Sequence, residues 1–378
     1  MDGQDAVRLV RGERDVRVLV VDDSAFMRYV ISKELSADPS IQVVGMARDG
    51  LDALQKIPQL RPDVVTMDIE MPRMDGLTAL DKIMREMPVP VILLSSWTQE
   101  GAAFTIRGLE LGAADFVPKP SAIQATTSDS VWHQLIGKVK SASSLDGRRL
   151  GGRGRPRAAA APMAVTSQPS SVQAQPKGLA KAERVVVIGT SIGGPRALFE
   201  VVPRLPADLP AGVLLVQHMP PGFTRSLASR LNDVSHLPVR EASEGDHVLT
   251  GSALLAPGDF HMTVRRGGRI ALEKSPPVHG VRPSVDITME AAASVYGAST
   301  FGVVLTGMGV DGTSGSLAIR RVGGQVVAED ESTCVVYGMP RSVVEAGAAN
   351  RVVRLEAVAD AIIETVTVSM REVGTVRR

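Results

Sequence analysis

The sequence predicts an α/β protein made of two doubly wound parallel-sheet domains joined by a flexible linker. Three observations support this prediction. Short β-branched runs alternate with helical stretches on both sides of a break in composition. The chain has 378 residues, more than the roughly 150 of a typical single domain. With 44% apolar and 22% charged residues, its composition is close to that of soluble globular proteins, so each half can bury a core.

The charge balance and the cysteine count exclude several classes of protein. The chain has 42 Lys and Arg against 41 Asp and Glu, so no global field attracts nucleic acid or an anionic membrane surface. Cys334 is the only cysteine, which excludes intramolecular disulfides and a cysteine-ligated zinc site. The sequence shows no apolar run of about 18 residues and no signal-peptide pattern near Met1. We therefore expect a cytoplasmic protein with no nucleic-acid partner and no membrane insertion.

The first predicted domain spans residues 16–134, after a tail of residues 1–15. Five strand-helix units of this size indicate a parallel sheet with helices on both faces, and functional groups collect at the carboxyl ends of such strands. The predicted strands are 16–21, 41–46, 63–67, 89–94 and 115–117, and the predicted helices are 25–35, 51–57, 77–85, 102–111 and 131–139.

Charged and hydroxyl side chains follow four of these strands. Asp22 and Asp23 end the first strand and Asp68 ends the third, so three carboxylates meet at one sheet edge, where their repulsion requires a cation. Hard oxygen ligands suit Mg²⁺, and a shielded Asp68 could attack a phosphoryl group. Ser95 and Lys119 follow the fourth and fifth strands and could bind a phosphoryl oxygen.

A structural role is the alternative for each acid alone, since Asp23 or Ser24 could cap the helix that begins near residue 25. Taken together, the first domain resembles the receiver domain of two-component response regulators. The resemblance implies a flavodoxin-like strand order 2-1-3-4-5, phosphorylation of Asp68 by a histidine kinase, Mg²⁺ held by Asp22, Asp23 and Asp68, and Ser95 and Lys119 as the switching pair. The motifs that carry it are Val21-Asp22-Asp23-Ser24, Met67-Asp68-Ile69-Glu70-Met71-Pro72, Asp75-Gly76 and Lys119-Pro120.

Residues 135–178 are predicted to be a helix end followed by a flexible linker. Residues 147–157 contain five arginines and no acid, and residues 158–176 are rich in Ala, Pro, Ser and Gln without an apolar period. A basic arm for nucleic acid is an alternative, but a short basic cluster in a flexible segment is more often a solvated linker. The arginine run is given no function.

A second α/β pattern covers residues 179–371 and is followed by a tail of residues 372–378. This domain is predicted to have strands at 185–189, 213–216 and 301–305, helices at 196–202, 224–231 and 356–368, and shorter β-like pieces at 253–256 and 269–272. Glycine-rich segments follow the first and third of these strands, where a parallel sheet collects its functional groups.

The turn after the first strand carries a candidate nucleophile. The sequence from Gly189 to Gly194 matches Gly-x-Ser-x-Gly, which exposes the hydroxyl of Ser191 at a helix N-terminus, although a glycine-rich turn could equally bind phosphate. His218 follows the next strand, and a right-handed crossover brings it to the same edge as a candidate base. Asp311 follows the strand 301–305 and could orient the imidazole. The pattern favours a Ser-His-Asp triad.

Chain order separates this candidate from the common α/β-hydrolases, which run Ser, acid, His. A hydrolase of that type would need a late histidine such as His279 with an earlier acid such as Asp259, and neither follows an evident strand. The remaining histidines are expected to be structural or on the surface; they are His133, His236, His247 and His261.

The second domain resembles the chemotaxis receptor methylesterases, which also place a receiver and a linker before it. The resemblance implies a Rossmann-like three-layer fold with Ser191 as nucleophile, His218 as base and then acid, Asp311 as orienting acid and the Met308 backbone as an oxyanion donor. Methyl-accepting chemotaxis receptors would be the substrate, with methanol released from glutamate γ-methyl esters and receptor glutamines deamidated. The motifs are Ile188-Gly189-Thr190-Ser191-Ile192-Gly193-Gly194-Pro195, Val216-Gln217-His218-Met219-Pro220-Pro221-Gly222-Phe223-Thr224, Arg282-Pro283-Ser284-Val285-Asp286 and Leu305-Thr306-Gly307-Met308-Gly309-Val310-Asp311-Gly312.

The two resemblances together imply a phosphorylation-controlled esterase. In this reading a chemotaxis histidine kinase is the phosphodonor, Mg²⁺ serves only receiver phosphorylation, and ester hydrolysis needs no cofactor. The unphosphorylated receiver is expected to cover the esterase site, and phosphorylation of Asp68 to relieve it. The alternative is a response regulator whose output domain only binds DNA or a protein partner, but a DNA-binding output favours a basic recognition helix over an α/β pattern.

Overall fold

The structure is a computed structural model that describes residues 15–119, 129–145 and 178–375. The described residues fall into two compact units, which divide between residues 151 and 152. Most of the predicted N-terminal tail, the arginine-rich part of the linker and the last three residues lie outside the described residues.

The first unit contains a five-stranded parallel sheet in the order β2-β1-β3-β4-β5, which confirms the predicted flavodoxin-like topology. The strands at its centre are mostly apolar because helices cover both faces, and all five residues of β3 are buried, including Thr66 and Asp68. The strands are β1 (Val16–Val21), β2 (Ile41–Ala47), β3 (Val64–Asp68), β4 (Val91–Ser95) and β5 (Asp115–Pro118).

Five helices flank this sheet, with α1 next to α5 and with α2, α3 and α4 forming a second group. Ser24 begins α1, and its hydroxyl accepts a hydrogen bond from the Met27 amide at 3.3 Å, so this capping role belongs to the serine. The helices are α1 (Ala25–Ser36), α2 (Gly50–Leu60), α3 (Gly76–Glu86), α4 (Gln99–Leu111) and α5 (Asp129–Ser143).

The last helix of the receiver continues beyond the domain end expected at residue 134. Leu135, Val139 and Ala142 on α5 are buried, with at most 1% of each exposed. Because these side chains belong to the core of the first unit, the expected boundary falls inside a helix that the domain requires.

The second unit contains a seven-stranded parallel sheet in the order β14-β13-β12-β6-β7-β9-β8. β10 and β11, which follow β9 in the chain, form a separate antiparallel hairpin. The strands are β6 (Val185–Thr190), β7 (Gly212–Gln217), β8 (Val239–Glu241), β9 (Ala253–Leu255), β10 (His261–Arg265), β11 (Arg269–Glu273), β12 (Thr300–Val304), β13 (Gln325–Glu329) and β14 (Arg351–Val353).

The helices of the second unit form two groups, one containing α6, α7 and α11 and the other containing α8, α9 and α10. The sequence pattern predicts no elements in residues 274–299 or 313–353, where the structure has α8, α9, β13, α10 and β14. Among the described residues, no helix is both long and apolar enough to cross a bilayer. The helices are α6 (Gly194–Val201), α7 (Phe223–Val234), α8 (Val285–Tyr296), α9 (Thr313–Arg321), α10 (Met339–Glu345) and α11 (Leu355–Thr375).

Candidate active site

The three acids of the first unit meet at the carboxyl ends of β1 and β3. Asp22 and Asp68 are buried whereas Asp23 is exposed, and one oxygen of each lies within 4.8 Å of the others. Lys119 enters from the end of β5 and forms ion pairs with Asp22 Oδ2 at 2.8 Å and with Asp68 Oδ2 at 2.6 Å. The structure therefore brings together these four sequence-predicted residues.

Burial dominates the ionisation of this cluster. It raises the pKa of Asp68 to about 6, with the charge of Asp22 adding to the rise against the opposing pull of Lys119. Burial also lowers the pKa of Lys119, but the two carboxylates more than offset this and leave it raised. A second cation at this edge would favour ionised Asp68, the form that acts as a nucleophile.

The donor set of this cluster fits a magnesium ion. Three carboxylates at one edge supply hard oxygen ligands, and the exposure of Asp23 leaves room for the waters that Mg²⁺ retains. Asp22, Asp23 and Asp68 would hold the ion, and its charge would neutralise an incoming phosphoryl group.

Ser95, at the end of β4, lies in the same region but points elsewhere. Its hydroxyl donates to the Gly101 carbonyl at 3.1 Å and accepts from the Thr105 hydroxyl at 2.6 Å. The side chain is 1% exposed. For Ser95 to contact a phosphoryl group at Asp68, its hydroxyl would have to break its hydrogen bonds with Gly101 and Thr105 of α4.

In the second unit, Ser191 lies in the turn between β6 and α6. Gly193 adopts the left-handed φ of 76°, and a Cβ on Gly194 would lie 2.0 Å from Gln217 Oε1 and 2.7 Å from Thr190 Oγ1. Glycine is required at both positions, in the first for its backbone angle and in the second for space. The turn thus presents a partly buried serine at the edge of the sheet.

Gln217, the last residue of β7, connects the serine turn to the histidine. Its Nε2 donates to the Ser191 carbonyl at 2.9 Å and to the His218 carbonyl at 3.1 Å, and its Oε1 accepts from Thr190 Oγ1 at 2.6 Å. The His218 amide also donates to the Thr190 carbonyl at 3.1 Å. The predicted convergence of Ser191 and His218 at adjacent strand ends is therefore present.

His218 is paired with the predicted acid. Its Nε2 lies 2.8 Å from Asp311 Oδ2, and the two side chains are 10% and 3% exposed. Asp311 lies in the loop between β12 and α9, 93 positions further along the chain than its partner. Because Nε2 is engaged, Nδ1 is the imidazole nitrogen that remains for proton transfer.

Asp311 accepts hydrogen bonds from the first turn of α8. Its Oδ1 accepts from Ser284 Oγ and from the Asp286 amide, both at 2.9 Å, and its Oδ2 accepts from the Val285 amide at 2.7 Å. Burial alone raises the pKa of Asp311, but the bond and charge of His218 and these amides outweigh it and hold the pKa at about 2. The carboxylate remains charged throughout the neutral range.

The predicted oxyanion donor lies in the loop that carries Asp311. The Ser191 amide donates to the Thr306 carbonyl at 3.0 Å, and a Cβ on Gly307 would lie 2.8 Å from the Ser191 Cβ. The backbone of this loop therefore contacts the serine. Met308 is the next residue, with 50% of its side chain exposed, and the role of its amide stays a prediction.

The alternative hydrolase pair does not form. His279 Nε2 lies 3.1 Å from Asp286 Oδ2, whereas Asp259 pairs with Arg282 and Lys274. The expectation of a structural role holds for His261, which is fully buried.

A second group of possible metal ligands comprises His279, Asp286 and Asp311. Its carboxylate oxygens already accept hydrogen bonds from N–H and O–H donors, since Asp286 Oδ1 accepts from the Gly312 amide at 2.9 Å and the Gly315 amide at 2.7 Å. Such donors compete directly with a cation, and the group does not fit a metal site.

Sequence reasoning missed three supports of the site, namely Gln217, Asp286 and Glu329. Ser284 and Asp286 after a proline form a helix-start signal that could have located α8. Glu329 is fully buried at the end of β13, where its Oε2 accepts from the Thr306 amide at 2.8 Å and burial raises its pKa to about 7. No sequence pattern points to this contact.

Comparison with known proteins agrees with both halves of the chain. Residues 186–362 match the family model of the CheB methylesterase and residues 18–128 that of the response regulator receiver domain. A protein-glutamate methylesterase/protein-glutamine glutaminase of Symbiobacterium thermophilum is 53% identical and covers 94% of this chain and 98% of its own. The proteins of the same name from Pyrococcus horikoshii and Thermotoga maritima are 47% and 44% identical, with coverage of 94% of this chain in both cases and of 95% and 99% of their own. This chain therefore belongs to the protein-glutamate methylesterase/protein-glutamine glutaminase family and joins a response regulator receiver to a methylesterase domain.

Proposed function

We propose that the chain is a phosphorylation-activated hydrolase that demethylates glutamate γ-methyl esters of methyl-accepting chemotaxis receptors in the cytoplasm and deamidates receptor glutamines. The observation that carries the proposal is the pairing of His218 with an Asp311 that stays ionised, next to a serine turn tied to the same strand ends. The names of the relatives support the same reaction.

The proposed reaction begins with attack of Ser191 Oγ on the ester carbonyl carbon. His218 Nδ1 takes the hydroxyl proton, since its Nε2 is bound to Asp311. The carbonyl oxygen becomes an oxyanion, which the Met308 amide is proposed to stabilise; one such donor contributes about 10² to 10³ in rate. Collapse of this intermediate breaks the ester bond, and the imidazolium protonates the leaving methoxide to give methanol.

Water completes the cycle by attacking the acyl-enzyme carbonyl. His218 takes a proton from the water and returns it to Ser191 Oγ, leaving a free glutamate carboxyl group on the receptor. Asp311 stays anionic in both steps because the His218 imidazole and the backbone amides hold its pKa at about 2. A glutamine side chain would follow the same path with ammonia as the leaving group.

In the receiver, a histidine kinase of the chemotaxis pathway is proposed to supply the phosphoryl group. Asp68 Oδ attacks phosphorus, the bond to the donor breaks, and an acyl phosphate results. Lys119, already 2.6 Å from Asp68, would pair with the new phosphoryl oxygens, and Ser95 would exchange Gly101 for them. Such a rearrangement biases a two-state equilibrium of the receiver surface and so raises the esterase rate.

The deciding experiment measures methanol release from methyl-esterified receptor by the full chain, with and without Mg²⁺ and a small phosphodonor. Ser191→Ala is the blank, and we expect it to abolish release because the neighbouring Thr190 hydroxyl is buried and bound to Gln217 Oε1. Release above the blank that rises with the phosphodonor supports the proposal. A folded wild-type protein that matches the blank in both conditions would overturn it in favour of a non-catalytic output domain.

A further inference from the structure

Asp286 and Asp311 cap each other's helices. Asp311 directly precedes the residue that caps α9, and its carboxylate accepts from the amides of Val285 and Asp286 at the start of α8. Asp286 lies in the first turn of α8, and its Oδ1 accepts from the amides of Gly312 and Gly315 at the start of α9. Each helix thus binds the carboxylate of the other with its unpaired N–H groups.

This exchange has a consequence for the orientation of Asp311. The Gly312 amide, which follows Asp311 in the chain, is bound by Asp286 at 2.9 Å. The amide of Asp286 in turn binds the Asp311 side chain at 2.9 Å. Asp286 therefore fixes both the backbone on which Asp311 is mounted and one oxygen of its carboxylate, without contacting His218.

Other groups hold Asp286 in place. It is 4% exposed, and its second oxygen faces His279 Nε2 at 3.1 Å on the solvent side. Burial raises the pKa of Asp286, and the charge of Asp311 adds to the rise against the Gly315 amide and His279. Ser284, two residues before Asp286, donates its amide to His261 Nδ1 at 3.2 Å, which anchors the start of α8. The Asp286 carboxylate is therefore held near the Asp311 carboxylate by its hydrogen bonds with Gly312, Gly315 and His279.

We propose that Asp286 is a positioning residue of the esterase, which acts through the Gly312 and Gly315 amides to aim Asp311 at His218. This inference rests on the proposed function and adds a residue to its machinery. Without the Asp286 carboxylate, Asp311 would keep the hydrogen bonds from Ser284 and Val285, but the loop that carries it would lose its attachment to α8 through Gly312 and Gly315. Displacement of a catalytic group by about 1 Å is sufficient to cost about 10²-fold in rate.

The kinetic test compares Asp286→Ala and Asp286→Asn in the full chain, with phosphodonor, by methanol release. Alanine removes the oxygen that accepts from both amides and leaves the Gly312 amide to Asp311 Oδ1, at 3.1 Å, so we expect kcat to fall by about 10- to 100-fold with KM nearly unchanged. Asparagine keeps an oxygen for the Gly312 and Gly315 amides and should recover most of kcat. Glu290→Ala is the matched control: it removes an exposed acid from the same helix and should leave kcat unchanged.

A spectroscopic test is independent of the activity. In protein labelled with ¹⁵N-histidine, the proton between His218 and Asp311 gives a low-field NMR signal that Asp311→Asn identifies by its loss. We expect Asp286→Ala to shift or broaden this signal and Asp286→Asn to retain it. If Asp286→Ala does not fold, Asp286→Glu, which moves the carboxylate by one methylene, is measured in the same way.

The outcomes separate the two proposals. A signal and a kcat that are both unchanged in folded Asp286→Ala would overturn the positioning role, as would an equal loss in Glu290→Ala. If the wild-type protein releases no more methanol than Ser191→Ala, the proposed function fails, but an NMR signal that depends on Asp286 still supports the positioning of Asp311.

Discussion

Asp68 and Asp311 follow buried parallel strands, and yet the two carboxylates are held in opposite ways. Burial and the nearby charge of Asp22 raise the pKa of Asp68 to about 6, because together they outweigh the ion pair with Lys119. Asp311 receives N–H and O–H donors from α8 and contacts His218, which hold its pKa at about 2. The first is balanced by the ammonium group of Lys119 and the second mainly by N–H and O–H donors and the His218 imidazole.

This difference suits two kinds of chemistry. A carboxylate that must attack a phosphoryl group needs free lone pairs, and a cation can neutralise it without occupying them all. A carboxylate that must orient an imidazole needs a fixed direction and a permanent charge, which backbone amides supply. The position at a strand end provides the site, and the neighbours decide the role.

The largest expected effect comes from removing the negative charge of Asp311. Asp311→Asn should lower kcat for methanol release by about 10⁴-fold, because an amide cannot hold His218 in the tautomer that leaves Nδ1 as the acceptor. Steady-state kinetics on methyl-esterified receptor measure this fall in kcat. Asp259→Asn is the matched control, since Asp259 pairs with Arg282 and Lys274 on the same domain. A comparable loss in the control would contradict the assignment.

The corresponding change in the receiver should leave the chemistry of the esterase intact. Asp68→Asn removes the phosphoryl acceptor, so we expect basal methanol release to persist and its stimulation by a phosphodonor with Mg²⁺ to vanish. Asp38→Asn, which removes a surface carboxylate paired with Lys140, should keep the stimulation. Stimulation of Asp68→Asn to the wild-type level would show that control runs through another residue.

The same two substitutions should change stability in opposite directions. The pKa of Asp68 is raised from 3.8 to about 6, so its charged form disfavours folding as the pH rises through that window. In metal-free protein at neutral pH, Asp68→Asn should therefore stabilise the receiver by up to about 3 kcal/mol, and the gain should disappear below about pH 4.

The pKa of Asp311 is lowered from 3.8 to about 2, so its contribution is complete above 3.8 and is lost as the pH falls through 2. Asp311→Asn should cost about 2 kcal/mol at neutral pH. Denaturant unfolding of the full chain distinguishes the domains, because both tryptophans, Trp97 and Trp132, lie in the receiver. Far-UV circular dichroism reports both domains, so a transition that is absent from the tryptophan fluorescence belongs to the esterase. Effects of the same sign would refute the contrast between the two carboxylates.

The sequence predicted the residues at the ends of the parallel strands, but it did not predict the contacts between helices. The strand order of the receiver was implied by its resemblance to a known family, whereas the meeting of Ser191, His218 and Asp311 follows from the rule that strand ends share one edge. The support from Asp286 does not, because it joins the starts of two helices 25 positions apart. The end of α5 was misjudged because no glycine or proline occurs between Gly137 and Gly147 to mark a stop.

The smallest expected effect concerns Gln217. Its carboxamide joins two strand ends in the esterase, as Lys119 joins two in the receiver, but it carries no charge. Gln217→Met keeps the shape but leaves the Ser191 and His218 carbonyls without their donor, so kcat should fall by about 10-fold with KM unchanged. Thr190→Val, the control, removes only the bond to Gln217 Oε1 and should cost less. Equal losses would contradict a role for the bonds that Gln217 Nε2 donates to the Ser191 and His218 carbonyls.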